Sequence, residues 1–362
     1  MSKVLIKDLE FKRLKINRSV FYKRKGDEHT IIAVATEDMA LTSKQKVDAE
    51  RFKAQIKKYW DITDHRPIKW FLGFEMRYDQ KSRTIAINQC AYIEKMVDKF
   101  YLTNAKKVTT PMDPNVHYSI NQSPSTTNQL ARMKGVLYSE AVGSVLWLVV
   151  VSRPDAAYAI GILAQFIQNT GWARSAHWEA LKRLITYLAS TKDLWLTFWG
   201  CAKTLVEGFC DADWAMNKHR HSISGYSFHL GCRAISWSFK KQYIIALSST
   251  EAEYIAQTHA AKEALWLQSF VDEVRGTGGA AITINCDNQG AIVLAKDNKF
   301  HLRTKHIDLH YHFIHEAVED EKLVVSYILT DENVSDVFTK ALAKPKFQRF
   351  VEMLGFEKRK PA

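Results

Sequence analysis

Cysteine is scarce in this sequence, and long apolar runs are missing. The 362 residues include 5 cysteines, an odd number at irregular spacing with no Cys-x-x-Cys pair, which argues against a disulfide framework and against a zinc knuckle. The first residues lack the apolar stretch of a secretory signal, and the longest apolar run, Val145 to Val151, is too short to cross a bilayer. These absences predict an intracellular protein that is neither secreted nor bound to a membrane.

Basic residues outnumber acidic ones. The chain has 51 Lys and Arg against 39 Asp and Glu, which gives a formal net charge of +12 at pH 7. Such a surplus favours a polyanionic partner, because each phosphate contact releases counterions. A basic protein without a special ligand can have the same composition, so charge alone does not decide the function.

The length favours two domains, or one large domain with appendages. The best linker candidate is a polar break from Thr109 to Gln129 that contains three prolines. Before the break, the pattern predicts strands at 19–22 and 30–35, a basic helix at 43–59, a hairpin of 70–77 with 84–88, and a helix at 91–100. After it, helices are predicted at Tyr138–Val151 and Trp178–Leu188.

From Leu205 onward, strands come first and then alternate with helices. Strands are predicted at 205–210, 225–230, 234–238, 244–247, 282–286 and 323–328. Helices are predicted at 250–274, up to 295, at 307–318 and from 335. The long helix repeats alanine and leucine along one face. This order predicts an α/β fold, α+β overall, with a mixed sheet and helices against it.

Four carboxylates stand at the ends of these elements: Asp211, Glu253, Asp287 and Asp336. Ends of neighbouring strands converge at one edge of a sheet, where α/β proteins place their sites. Packing carboxylates together is costly without cations, and Mg²⁺ prefers carboxylate and phosphate oxygens. Each acid also has a structural interpretation as a turn residue, a first-turn acid or a cap, with Glu253 closing a capping box with Thr250.

Seven ordered motifs cover about Leu205 to Leu354: CDADWA, HSISGYSFHLG, AISWSFKKQ, LSSTEAEYIA, CDNQGAI, RTKHID and SDVFTKAL. Together they resemble the ribonuclease H region of copia-type LTR-retrotransposon Pol polyproteins. The resemblance implies a ribonuclease H-like mixed five-stranded sheet, two Mg²⁺ ions (Mn²⁺ as a substitute) and an RNA–DNA hybrid substrate. Motif by motif, it implies a catalytic and metal-binding set of Asp211, Glu253, Asp287 and Asp336, with Asp213 and Glu251 ranked second.

One departure concerns histidine. Cellular ribonucleases H often carry a histidine before the last aspartate, and the loop 330–335 has none. Histidine-assisted product release is therefore not implied.

The front half resembles the reverse transcriptase of the same polyproteins, through SVFYKRKGDEHTIIAVATEDMALTSK and WFLGFEMRYDQKSRTIAINQCAYIEKM. The family has Val-Asp-Asp at its paired acids, whereas Glu37 and Asp38 stand here, and the further upstream aspartate that polymerase chemistry needs is missing. We therefore expect no polymerase activity from this chain alone. The expected domains are a truncated palm and thumb (1–110), a linker and connection (111–200), a ribonuclease H-like domain (201–345) and a basic C-terminal tail (346–362).

Other features suggest contacts with nucleic acid. Lys240, Lys241, Arg303 and Lys305 are candidates for holding phosphates without reading sequence. A histidine cluster at 301–315 has one i, i+4 pair, His306 and His310, that suits zinc, but no cysteine is near it. Contact with a nucleic-acid backbone is the favoured interpretation of this segment.

The leading hypothesis is a ribonuclease H attached to a truncated reverse transcriptase. It would act in cytoplasmic element particles, with nuclear access as an option, alongside other polyprotein products. The first alternative is a non-catalytic, nucleic-acid-binding remnant of a decayed or domesticated element. The second is a polymerase portion that another chain completes.

Overall fold

The computed structural model describes residues 1–25, 28–36, 38–65, 67–119, 126–127, 135–167, 175–200, 206–214, 220–276, 279–296 and 308–358. Elements up to residue 200 are α1 (Ser2–Lys7), β1 (Lys12–Arg13), β2 (Val20–Lys25), β3 (Glu28–Ala35), β4 (Asp38–Ser43), α2 (Lys46–Ile56), β5 (Trp70–Phe71), β6 (Phe74–Asp79), β7 (Thr84–Asn88), α3 (Cys90–Lys99), α4 (Tyr138–Val151), a 3₁₀ turn (Pro154–Ala156), α5 (Ala157–Ala164), α6 (Ser175–Ser190) and β8 (Leu194–Trp199).

The remaining elements alternate strands and helices. They are β9 (Val206–Asp213), β10 (Ile223–Leu230), β11 (Arg233–Lys241), α7 (Ser249–Arg275), β12 (Ile282–Cys286), α8 (Gln289–Lys296), α9 (Asp308–Glu319), β13 (Leu323–Tyr327), α10 (Asp336–Thr339), α11 (Lys344–Leu354) and β14 (Phe356–Lys358). No helix in the described ranges is long and apolar enough to span a membrane.

Three sheets organise these strands. The first is antiparallel, in the order β1-β2-β3-β4, and it has a small core with α1 and α2. The second has the order β14-β8-β7-β6-β5 and is antiparallel. The third has the order β11-β10-β9-β12-β13, in which β9 is antiparallel to β10 and parallel to β12. This third sheet, with its flanking helices, confirms the predicted mixed five-stranded arrangement.

Helix α7 packs across the third sheet, and its sequence specifies both of its ends. Ser248 caps the N-terminus by accepting a hydrogen bond from the Glu251 amide, while the Glu251 side chain accepts one from the amide of Leu247, the residue before the cap. Gly276 ends the helix in the left-handed region at φ 70°. Alanines line the buried face and let the helix approach the sheet closely. Because Ser248 and Glu251 make the cap, the capping-box interpretation of Glu253 with Thr250 is wrong.

A second core joins segments that are far apart in the chain. Helix α11 places Phe347, Phe350 and Leu354 in the same cluster as Leu184 and Tyr187 of α6. Residues 344–358 therefore form a packed helix and an edge strand, not the tail assigned from 346 onward. The cluster also includes Phe209 and Ile223 of the third sheet, so it crosses the expected boundary near residue 200.

Some local predictions differ from the structure. Residues 244–247 form no strand, and Leu247 is 74% exposed. The chain leaves the sheet at Gln242, whose buried amide donates to Ser224 and to the Ala252 carbonyl. Conversely, β8 was not predicted, although it is the strand that joins β7 to β14.

A glycine in β10 allows α10 to lie close to the third sheet. A Cβ at Gly225 would stand 2.8 Å from the Cβ of Phe338 and 2.8 Å from the Cγ2 of Thr339. We expect Gly225→Ala to lower the free energy of unfolding by about 1–3 kcal/mol through overpacking, measured by urea denaturation. Gly143→Ala in α4 is the matched control, since a Cβ there meets nothing within 4 Å. Equal stability of the two variants would contradict this packing argument.

Candidate active site

The four candidate acids come from neighbouring elements at one end of the third sheet, near the C-terminal ends of its inner strands β9 and β12. Asp211 lies in β9, and Asp287 directly follows β12, the strand paired in parallel with β9. Glu253 lies in the second turn of α7, and Asp336 is the first residue of α10. The adjacent parallel strands bring Asp211 and Asp287 together, while the two helices cover the same edge.

The side chains form two overlapping groups. Carboxylate oxygens of Asp211, Asp287 and Asp336 lie within 4.8 Å of one another. Oxygens of Glu253 and Asp287 lie within 4.8 Å of each other and of the Cys286 sulfur. Asp287 belongs to both groups, so the structure brings all four predicted acids into one continuous cluster. Oxygen ligands at this spacing suit a hard divalent cation.

Burial makes ionisation of the acids in this cluster unfavourable. Asp211 and Asp336 are each 1% exposed and Glu253 is 6% exposed, whereas Asp287 is half-buried. Burial raises the pKa of Asp211 to about 6, against the opposing effect of Lys340. Burial also raises the pKa of Glu253 well above its usual value, and the nearby Asp211 adds to the shift. A cation between the carboxylates would favour their ionised forms.

Two lysines and a threonine hold the acids in place. Lys340 Nζ lies 2.9 Å from Asp336 Oδ1 and 3.3 Å from Asp211 Oδ2, and Lys346 Nζ lies 2.8 Å from Asp336 Oδ2. The Thr339 hydroxyl donates to Asp211 Oδ2. Burial acts to lower the pKa of Lys340, but Asp211 and Asp336 outweigh it and raise the pKa.

These supporting residues were not singled out from the sequence. Thr339 and Lys340 stand three and four residues after Asp336 within SDVFTKAL. Side chains at that spacing share one face of a helix, which is the signal that could have identified Lys340. Lys346 reaches Asp336 from the start of α11, and no local pattern predicts that contact.

The second-ranked acids have different surroundings. Glu251 belongs to the helix cap and is 8% exposed. Burial raises the pKa of Asp213 to about 6, and one of its carboxylate oxygens is buried with no hydrogen-bond partner among the residues that the structure describes. Burial, with a smaller effect of Asp213, raises the pKa of Tyr158 in α5 to about 12. Helix α5 also contacts α10, so it lies beside the acidic cluster.

Of the remaining candidates, those that the structure describes lie outside the cluster. Glu37, Arg303 and Lys305 lie outside those residues, as does most of the histidine segment. Asp38 opens β4 and is exposed. Lys240 and Lys241 end β11, where Lys240 Nζ lies 5.9 Å from the centre of the Tyr243 ring.

The raised pKa of Asp211 predicts how stability depends on pH when divalent ions are absent. A carboxyl whose pKa is higher in the folded state binds more protons there than in the unfolded chain. Its contribution to stability is therefore greatest below about pH 4 and is lost as the pH rises toward about 6. We expect Asp211→Asn to remove this loss, as measured by urea unfolding from pH 4 to 7 in a chelator. Superimposable pH profiles for the two proteins would contradict the assignment.

Comparison with known proteins gives consistent matches along the chain. Residues 1–114 match the family described as Reverse transcriptase (RNA-dependent DNA polymerase). The retrovirus-related Pol polyprotein from transposon TNT 1-94 of Nicotiana tabacum is 38% identical over 338 residues, which are 93% of this chain and 25% of that protein. The corresponding protein from transposon RE1 of Arabidopsis thaliana is 32% identical over 346 residues, which are 95% of this chain and 23% of that protein. The chain thus spans about a quarter of the length of these relatives.

Among solved structures, the crystal structure of LC11-RNase H1 in complex with an RNA/DNA hybrid matches 37% of this chain and 93% of its own. The sequence identity is 14% and the TM-score is 0.30.

Proposed function

Since this chain belongs to the family of copia-type retrotransposon Pol polyproteins, we propose that its residues 206–358 hydrolyse the RNA strand of RNA–DNA hybrids. The observation that carries the proposal is the cluster of Asp211, Asp287 and Asp336, whose oxygens lie within 4.8 Å of one another near the C-terminal ends of β9 and β12. Glu253 extends the cluster through the shared Asp287.

The donor set fits divalent metal ions. All four acids offer hard oxygen ligands, and the half-buried Asp287 gives the cluster access from solvent. Asp211, Glu253, Asp287 and Asp336 would hold two Mg²⁺ ions. When bound, Mg²⁺ supplies activation of a water and stabilisation of the leaving oxygen of the phosphodiester.

The chain's own residues prepare this site. Thr339 fixes one oxygen of Asp211, and Lys346 fixes one oxygen of Asp336. Lys340 bridges Asp211 and Asp336, so it compensates their charge in the absence of metal. Lys340 is 35% exposed at its side chain, and we propose that its ammonium contacts a phosphate of the bound strand.

We propose that the front half is a reverse-transcriptase-type region that does not synthesise DNA by itself. Its match to that family covers residues 1–114. Glu37 and Asp38 depart from the paired aspartates that the polymerase uses, and Asp38 is exposed on β4. Strand β2 contacts the C-terminal end of α7, because Arg24 donates to the carbonyls of Glu273 and Val274 there.

A substrate panel tests the proposal. The full chain would be incubated with Mg²⁺ and an RNA–DNA hybrid, an RNA duplex or a DNA duplex of the same sequence. We expect cleavage of the RNA strand in the hybrid alone. Equal cleavage of the RNA duplex would replace the proposal with a less selective ribonuclease, and binding without cleavage would favour the non-catalytic remnant.

A further inference from the structure

Two buried cysteines stand directly behind the acidic cluster. Cys210 precedes Asp211 in β9, and Cys286 precedes Asp287 at the end of β12; both side chains are fully buried and neither forms a disulfide. The parallel register pairs Asn285 with Phe209, so the two cysteines occupy the next aligned positions. Both belong to the core between α7 and the sheet.

The Cys286 sulfur also faces carboxylates. It lies 3.8 Å from Glu253 Oε2. The sulfur and one oxygen each of Glu253 and Asp287 lie within 4.8 Å of one another, which places three potential metal ligands around one point. Asp287 is half-buried and connects this point to the solvent.

A buried amide gives an independent sign that a ligand belongs here. Gln257, one turn after Glu253 on α7, is 1% exposed. Neither its oxygen nor its nitrogen has a hydrogen-bond partner of normal geometry among the described residues, and such a group costs about 1–3 kcal/mol when left unsatisfied. The amide lies against the Cys286 side chain.

We propose that Cys286, Glu253 and Asp287 form a binding site for a thiophilic divalent ion such as Zn²⁺ or Cd²⁺, with the Cys210 sulfur and the Gln257 amide oxygen as adjacent donors. Thiolate, carboxylate and carbonyl ligands suit these ions, whereas Mg²⁺ gains nothing from sulfur. Binding replaces the proton of the Cys286 thiol with the metal and releases that proton to solvent.

Occupancy of this site has a consequence that rests on the proposed function. Glu253 and Asp287 are also proposed ligands of the Mg²⁺ ions. A thiophilic ion held by Cys286 withdraws both carboxylates from the Mg²⁺ site, so it inhibits hybrid cleavage even when Mg²⁺ is in large excess.

The binding experiment titrates the full-length, reduced chain with Cd²⁺ alone and follows the sulfur-to-cadmium charge-transfer absorption in the ultraviolet. We expect a saturable band that Cys286→Ser loses and that Cys232→Ser, which changes an exposed cysteine, retains. Glu253→Gln keeps both cysteines, and we expect it to weaken Cd²⁺ binding at least about tenfold, which gives a second test if Cys286→Ser does not fold. Undiminished Cd²⁺ binding by a folded Cys286→Ser chain, or by Glu253→Gln, would overturn the site.

A cleavage experiment separates the two proposals. Low Zn²⁺ in the presence of Mg²⁺ should inhibit the unmodified chain, whereas the rate of Cys286→Ser with Zn²⁺ should equal that variant's own rate without Zn²⁺, whatever that basal rate is. A chain that binds Cd²⁺ through Cys286 but cleaves no hybrid supports the thiophilic site and contradicts the nuclease. The opposite outcome has two parts: Zn²⁺ does not inhibit cleavage, and Cys286→Ser binds Cd²⁺ as well as the unmodified chain does. That outcome supports the nuclease and contradicts the thiophilic site.

Discussion

Asp287→Asn is expected to abolish cleavage of the RNA strand while leaving hybrid binding nearly unchanged. Asp287 is the acid shared by both groups of the cluster, so its loss removes a ligand from each proposed Mg²⁺ ion. The amide keeps the shape of the side chain but not its charge, and we expect the single-turnover rate to fall at least about 10³-fold, or roughly 4 kcal/mol of transition-state stabilisation. The rate would be measured with an end-labelled hybrid and the affinity by fluorescence anisotropy.

Asp320→Asn provides the matched control for this prediction. Asp320 lies in the turn before β13 and pairs with Lys322 on the surface, away from the acidic cluster, so the same chemical change should leave the rate unaltered. Full activity of Asp287→Asn would contradict the proposed site. A parallel loss of rate and affinity would show that Asp287 acts on binding instead of on chemistry.

The largest expected change in stability comes from the buried ion pair of Arg153 and Asp155, which flanks the 3₁₀ turn after α4. Arg153 forms two hydrogen bonds with Asp155, of 2.9 Å and 2.6 Å, and the Tyr187 hydroxyl donates to the same carboxylate. The guanidinium also bonds to Thr191 and lies 5.6 Å from the centre of the Phe356 ring. Asp155→Ala would leave this arginine charged, buried and without its carboxylate, and we expect a loss of about 3–5 kcal/mol in the free energy of unfolding.

Urea denaturation with an exposed ion pair as the control measures this loss. Glu94 and Lys192 are about half-exposed at their side chains, so we expect Glu94→Ala to cost less than about 1 kcal/mol. Equal destabilisation by the two variants would contradict the argument that burial makes the pair of Arg153 and Asp155 important for stability.

The sequence predicted the elements that local patterns encode. The bounds of α4 and β12 match the predicted ranges, and α7 differs from its predicted range by one residue at each end. The structure brings the four acids together because Asp211 lies near the end of β9, Asp287 follows the neighbouring strand β12, and the helices that carry Glu253 and Asp336 pack over the same end of the sheet. That placement follows from the alternation of strand and helix, together with the family resemblance, without knowledge of any distance.

What the sequence did not predict depends on contacts between distant segments. Strand β8 pairs with β14 more than 150 residues later, and a short run such as Leu194–Trp199 carries no sign of that partner. Residues 244–247 form a short apolar run that is typical of a strand, but the chain leaves the sheet at Gln242. The contact of Lys346 with Asp336 likewise requires α11 to pack beside α10, which only the shared core specifies.

The charges around the acids also refine the electrostatic account. Sequence reasoning required metal ions to offset the four carboxylates, whereas Lys340 and Lys346 already offset part of that charge. The pKa of Asp211 is nevertheless raised to about 6, because burial outweighs Lys340. The lysines therefore reduce the free-energy cost of burying the four acids together without removing the reason for binding divalent ions.

The most direct test of the central claim is the release of labelled RNA from an RNA–DNA hybrid by the full chain, with Mg²⁺ and with a chelator in parallel. The proposed site predicts Mg²⁺-dependent cuts in the RNA strand, none in the DNA strand, and none in the chelator. Absence of RNA cleavage by a folded chain that binds the hybrid in Mg²⁺ would contradict it.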